Sequence, residues 1–182
     1  DIKVDFTRAK QLNSFYRIII PKVNIKGITC VVINHTYKTI EMFAKDKLKG
    51  GEGGVFASNT IWFVGKAQET NGKTGKDKEL LGFTFSINID KSRHIKEGSK
   101  FPISVQWDRG ILKYSGLGDL AEEFGILETG KIGYKGAWVY IDKATGEEFK
   151  ISKDDAFTDD EWWDRILKQT NFSEMIKDKY II

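Results

Sequence analysis

Apolar positions recur at three- and four-residue steps near the start of the chain: Phe6, Ala9, Leu12, Phe15, Tyr16 and Ile19. That spacing puts them on one helical face and predicts a helix over 5–20, with Pro21 as its stop. Residues 28–33, Ile-Thr-Cys-Val-Val-Ile, are a continuous apolar run of strand length. Such a run fits a strand buried on both faces of an α/β sheet. Asn34 and His35 then fall at its carboxyl end, the edge where open α/β sheets bind ligands.

Further along, Thr60–Lys66 reads as a strand. Phe83, Phe85, Ile87 and Ile89 alternate with polar residues, which predicts a half-buried strand over 82–90. Residues 101–107 form another strand, with Pro102 near its start, where a missing N–H is tolerated. Residues 69–79 are charged and glycine-bearing, a surface turn. Ser115 is placed to cap a short helix carrying Leu117, Leu120, Ala121 and Phe124. Residues 137–151 read as a hairpin turning at Asp142–Gly146. Thr158 and Glu161 have the spacing of a capping box ahead of Trp162, Trp163, Ile166 and Leu167. Asn171 stands before a last helix with Phe172, Met175, Ile176 and Tyr180. These stripes are expected to be core.

At 182 residues, this is one ordinary domain or a domain with a small appendage, long enough to bury a core. Hydrophobic residues are 40% and charged residues 30%, which excludes a disordered chain. No apolar run approaches the roughly 20 residues that span a bilayer, and no signal peptide opens the sequence. A single cysteine excludes an internal disulfide and fits a reducing cytoplasm. Cys30, inside the apolar run, is expected to be a buried, inert thiol. The absence of a methionine at Asp1 suggests a piece of a longer protein. Net charge is only +3, but it is unevenly spread. Residues 1–113 carry 20 Lys and Arg against 11 Asp and Glu; residues 114–182 carry 9 against 15. A basic body with an acidic end points to an anionic partner for the body, or else to ordinary solvated faces.

The chemistry-bearing candidates are few. No His/Cys cluster has metal-ligand spacing, and no Gly-x-Ser-x-Gly occurs. Glu122-Glu123 and Asp159-Asp160-Glu161 lie on or beside predicted helices, where they favour the helix dipole or face water. Gly72-Lys73-Thr74 imitates the end of a phosphate-binding loop, but Ala67 stands where the first glycine belongs and the following residues read as turn. It is taken as a decoy. Residues 44–54, Ala-Lys-Asp-Lys-Leu-Lys-Gly-Gly-Glu-Gly-Gly, are a more promising case. Four glycines in five positions do not hold regular structure cheaply, which predicts a mobile basic loop. Lys45, Lys47 and Lys49 supply charge, Gly50, Gly51, Gly53 and Gly54 permit close approach to phosphates, and Phe43 and Phe56 flank the segment. Aromatic rings beside a basic, backbone-tracking segment suit single-stranded nucleic acid; a solvated loop is the plain alternative. Lys91 and Arg93, at a strand end beside His94 and Lys96, can clamp a phosphate if alternation points them the same way.

The order of these pieces carries a resemblance. Thr7-Arg8-Ala9-Lys10, Ile33-Asn34-His35-Thr36-Tyr37, Glu41-Met42-Phe43, a Gly-Gly-bearing loop, Lys91-Ser92-Arg93, Tyr114-Ser115-Gly116 with Asp119-Leu120, and Gly136-Ala137-Trp138 follow one another as in RecA-type recombinases. The phage UvsX-like branch is the nearest in pattern. The resemblance runs from about residue 3 to 140 and more weakly to 182.

It implies an α/β fold: a partial RecA-like core, a mixed β-sheet with flanking helices, over residues 1–130. A small α+β C-terminal region, a hairpin plus two helices, would occupy 131–182. It also implies an ATP-dependent strand-exchange protein that forms helical filaments on single-stranded DNA, engages double-stranded DNA, and uses ATP and Mg in the intact protein. Residues 43–58 would be a DNA-binding loop. His35 would sense the γ-phosphate and couple it to that loop, and Lys91 and Arg93 would reach the ATP of an adjacent subunit. Arg8 and Lys10 are weaker candidates for phosphate contacts. The family's phosphate-binding loop and catalytic acid have no match in this chain. A sheet edge is therefore expected to be left open, which favours dimers. The alternatives are an ATPase-deficient DNA-binding accessory protein and an unrelated α/β domain. The expected outcome of an ATPase assay on this chain is no turnover; a measurable rate abolished by Lys73→Ala would contradict both this expectation and the decoy reading.

Overall fold

A computed structural model describes residues 7–40, 46–71, 75–133 and 135–182. The chain divides into two compact units, residues 1–61 and 62–182. It is a mixed α/β protein, and every strand pair whose register is described is antiparallel.

The first unit opens with helix α1, Thr7–Lys26. It runs through Pro21, six residues beyond the predicted end. Proline removes one i→i−4 bond, and here that loss does not break the helix. The stop is Gly27, at φ +62°, with Gly27 N–H donating to Asn24 (3.2 Å) and Ile28 N–H to Val23 (2.9 Å). This 5→2 and 6→1 pair is a Schellman motif, which needs a residue that tolerates positive φ. α1 carries no fully buried residue: Ala9, Leu12, Tyr16 and Ile19 are half-buried, and Phe15 is exposed. The expected core stripe is therefore only a partly covered face.

The run 28–33 is not a strand. It is exposed, with Val31 at 82% and Ile33 at 95%, and no strand pairs with it among the described residues. A strand buried on both faces requires neighbours at both edges and layers above and below; the described residues supply neither. Cys30 is accordingly exposed, not buried. Two short strands follow, β1 (Thr36–Lys38) and β2 (Asp46–Leu48), and then a short helix α2 (Gly53–Ala57).

The second unit contains a four-stranded sheet in the order β3 (Ile61–Thr70), β4 (Leu80–Lys91), β5 (Lys100–Gln106), β6 (Gly110–Ile111). The period-2 pattern is realised in β4. Phe83, Phe85 and Ile87 stand opposite Val105, Ile103 and Phe101, giving one apolar face, while Thr84 and Ser104 share a 2.9 Å hydroxyl contact on the other. Gly82 is required by close approach: a Cβ there would collide with the Val105 carbonyl. A 3-10 turn, Gly75–Asp77, lies in the predicted surface turn; Gly72, Lys73 and Thr74 fall outside the described residues.

Helix α3 (Leu117–Glu123) leads into a three-stranded sheet, β7 (Leu127–Ile132), β8 (Lys135–Ile141) and β9 (Glu148–Ser152). Helices α4 (Asp160–Gln169) and α5 (Phe172–Tyr180) complete it. Their predicted stripes are core: Trp163, Ile166 and Phe172 are fully buried against Leu127, Trp138 and Ile151. Trp163 Nε1 donates to the Ala156 carbonyl at 2.7 Å, so its polar atom is satisfied inside.

The caps differ from their predicted positions. α3 is preceded by Gly116 at φ +74°; the Ser115 hydroxyl instead donates to Leu112 and accepts from Ser104 N–H. Asp159 rather than Thr158 caps α4, accepting from Trp162 N–H at 2.9 Å. A carboxylate one residue closer to the helix competes better for the orphan donors. Asn171 occupies the cap position of α5 without a side-chain bond; Thr170 Oγ1 accepts from Phe172 N–H.

Asp160 ties α4 to the strand-end segment at 113–114. Its Oδ1 accepts from Lys113 Nζ and Tyr114 Oη, both at 2.7 Å. These bonds, Lys113 first, hold its carboxyl below the ordinary range. A carboxylate whose pKa is lower folded than unfolded adds stability above the unfolded value, and that contribution is lost as pH falls through the folded one. Asp160→Asn is therefore expected to lower the thermal midpoint at neutral pH by a few degrees at most, because the pair is exposed. The gap to wild type should narrow below about pH 4. A gap that widens on acidification contradicts the assignment.

Candidate nucleic-acid interface

In the first unit, β1 and β2 pair antiparallel, with Thr36 opposite Leu48, Tyr37 opposite Lys47 and Lys38 opposite Asp46. Beyond the ladder, Lys49 N–H donates to the His35 carbonyl at 2.9 Å. The Asn34 side chain closes the end: Nδ2 donates to the Lys49 carbonyl at 2.7 Å and Oδ1 accepts from His35 N–H at 2.9 Å. Asn34 and His35, which precede β1 and do not end a strand as predicted, are thereby fastened to Lys49, the residue before Gly50.

From residue 46, where its description begins, the glycine segment carries β2 and the opening turn of α2, where composition predicts no regular structure. Residues 50–54 lie along α1. A Cβ at Gly50 would collide with Leu12, one at Gly51 would touch Ala9 at 3.4 Å, one at Gly53 would overlap the Asn13 carboxamide, and one at Gly54 would crowd the Tyr16 hydroxyl at 3.3 Å. Ala9, Leu12, Asn13 and Tyr16 fall on one helical face. Gly50 and Gly51 also adopt φ of +103° and +86°, where other residues are strained. The glycines thus serve backbone-to-helix packing, and Gly53 and Gly54 open α2, which Ser58 closes by donating to the Gly54 carbonyl through both its N–H and its hydroxyl.

Lys47 and Lys49 are exposed on this hairpin end, and Tyr37 is half exposed. An open groove of about 680 Å³ lies between α1 and α2, lined by Asn13, Tyr16, Arg17, Ile20, Glu52 and Phe56 among others. Phe56 is 79% exposed at its rim, so a ring and a guanidinium border one concavity. Arg8 and Lys10 are exposed on α1, flanking half-buried Ala9. Phe43 and Lys45 lie outside the described residues.

Lys91 and Arg93 belong to the second unit. Lys91 is the half-buried last residue of β4, and Arg93 is exposed in the bend that follows. Ser92 sets that bend, its hydroxyl oxygen accepting from His94 N–H and Ile95 N–H, both at 3.2 Å. Strand alternation therefore ends before Arg93 and does not align the pair. The bend is held further by an Ile95–Ile181 bridge and by Lys96 Nζ donating to the Asp178 carbonyl at 2.5 Å. Two cations here suit phosphate. Among the described residues, no group of three or more His, Cys, Asp or Glu is arranged to hold a metal.

Sequence reasoning placed the lysines and glycines but missed the β1–β2 hairpin, the α1 seat and the bridging role of Asn34. The seat was readable only as small and polar residues, Ala9 and Asn13, on the helix stripe. Gly50→Ala combines positive φ with a collision into Leu12. It should raise protease cleavage within 46–57 several-fold while leaving tryptophan fluorescence unchanged, since all five tryptophans lie at Trp62 or beyond. Unchanged cleavage contradicts the seat.

The sequence is 39% identical over 179 residues to a protein described as "Recombination and repair protein" from Enterobacteria phage T4. The match covers 97% of this chain and 44% of that relative, so the chain spans less than half of the relative's length. No protein-family model matches the sequence.

Proposed function

We propose that this chain functions in DNA recombination and repair, as part of an ATP-dependent strand-exchange recombinase that assembles on single-stranded DNA. The observation that carries this reading is the 39% identity sustained along 97% of the chain with a phage T4 recombination and repair protein. The geometry of the first unit adds support. Exposed Lys47 and Lys49 lead into a glycine segment held against a helix, with Phe56 exposed beside it. Cations tracking a backbone, with a ring for base stacking, are the ingredients of single-strand binding.

In this reading, residues 46–57 contact the DNA phosphates and bases. His35, fastened through its backbone to Lys49, senses the γ-phosphate of ATP and passes its presence to that segment. Lys91 and Arg93 close on the nucleotide of a neighbouring subunit and offset charge on the transferring phosphoryl group. A head-to-tail contact of this kind propagates into an open filament. Loss of the γ-phosphate releases the segment and the strand.

Fluorescence anisotropy with a labelled oligonucleotide across a salt series tests the DNA arm. Each phosphate neutralised on a single strand contributes roughly 0.7 to the slope of log K against log salt. Replacing Lys47 and Lys49 together with Ala should flatten that slope by roughly 1.4. An unchanged slope would remove this segment from the interface, and no binding by the wild-type chain would remove the DNA reading.

A further inference from the structure

The hydrogen bonds of Asn34 carry more than local order. Both ends of its carboxamide are used, Nδ2 toward the Lys49 carbonyl at 2.7 Å and Oδ1 toward His35 N–H at 2.9 Å. Together with the Lys49 N–H bond to the His35 carbonyl at 2.9 Å, they make a three-bond knot, in which two bonds join residues 34–35 to residue 49 and the third braces residue 34 against residue 35. On one side of the knot lies the run 28–33, exposed and without a partner strand among the described residues. On the other lie Gly50 and Gly51, both at positive φ, a conformation that favours glycine. Without the knot, position 35 and the lysine-bearing segment would be joined only by a three-pair ladder.

Few side chains can form this bridge. It needs one donor and one acceptor about two bonds from the backbone. Aspartate offers two acceptors and would set a carboxylate against the Lys49 carbonyl. Serine and threonine offer a single oxygen, and glutamine is one methylene too long for the adjacent N–H. From this geometry we propose that Asn34 is a positioning residue. It couples His35, just ahead of β1, to the segment 47–54, so that the two move as one body and the lysines are held ready for DNA. The coupling to DNA rests on the single-strand-binding reading above; the knot itself does not.

A segment held in a binding-competent arrangement only part of the time binds with its affinity reduced by that fraction. Loss of the knot should therefore weaken binding without changing which charges meet phosphate. The test uses the whole chain with Asn34→Ala and Asn34→Asp, read by amide hydrogen exchange without DNA and by oligonucleotide anisotropy across a salt series. The expected result is faster exchange at Lys49 and through 50–57 in both variants, with Asp faster than Ala. Single-strand affinity should drop about tenfold at fixed salt, with the salt slope retained and tryptophan fluorescence of the second unit unaltered. Exchange at Lys49 equal to wild type in Asn34→Ala would overturn the knot, whether or not the chain binds DNA. Faster exchange with unaltered affinity would overturn the positioning role. A wild-type chain that fails to bind DNA, with exchange still faster in the variants, would overturn the proposed coupling to DNA and the function it rests on, while the knot would stand.

Discussion

Close approach of backbone to helix governs the first unit. Four positions without a Cβ let residues 50–54 lie against the Ala9–Leu12–Asn13–Tyr16 face of α1; a side chain would collide with Leu12 at Gly50 and with Asn13 at Gly53, and would fit closely at Gly51 and Gly54. This contact makes α2 possible in a segment whose composition argues against a helix. It gives α1, which has no fully buried residue, one of its covered surfaces. It also sets where the hairpin end, with Lys47 and Lys49, can be. Glycine costs conformational entropy on folding and gains nothing from side-chain burial; four of them together are retained only where backbone proximity itself is needed.

The second unit rests on a different principle. Its C-terminal part buries large aromatic side chains, Trp163, Phe172 and Trp138, around a three-stranded sheet, and satisfies Trp163 through Ala156. Even here a glycine is decisive: Gly118 lets α3 lie on the Trp138 ring, where a Cβ would overlap it. Glu122 accepts from Thr129 and from Trp138 Nε1, which holds its carboxyl below the ordinary range and fixes α3 to the sheet through polar contacts. The acidic balance of residues 114–182 is thus partly spent on internal bonds, as with Asp159 at the α4 cap and Asp160 on Lys113 and Tyr114.

What the sequence made legible was what depends on local spacing. Alternation found β4, turn residues found the β8–β9 hairpin, and the Trp162-Trp163-Ile166 stripe found α4 and its buried face. Errors arose where a local signal met a tertiary one. Pro21 looked like a stop, but the Schellman geometry at Gly27 sets the end of α1. The run 28–33 reads as a buried strand because composition encodes the surroundings a segment suits, and the described residues do not furnish them. The glycine segment reads as a loop because nothing in a one-dimensional pattern shows that a helix face lies beside it. The candidate site follows the same division. Lys47 and Lys49 were legible as the charges of a glycine-rich segment, and His35 as the polar residue closing an apolar run that the structure does not make a strand, whereas the Asn34 bridge depends on residues fifteen positions apart meeting.

In the proposed function, residues 46–57, seated on α1 and fastened at Asn34, meet the DNA. Photo-crosslinking a single-stranded oligonucleotide to the whole chain and mapping the modified residues tests it directly. Adducts are expected at Tyr37, Lys47, Lys49 and Phe56. Adducts confined to exposed tryptophans of the second unit, Trp62 in β3 and Trp107 after β5, would contradict it.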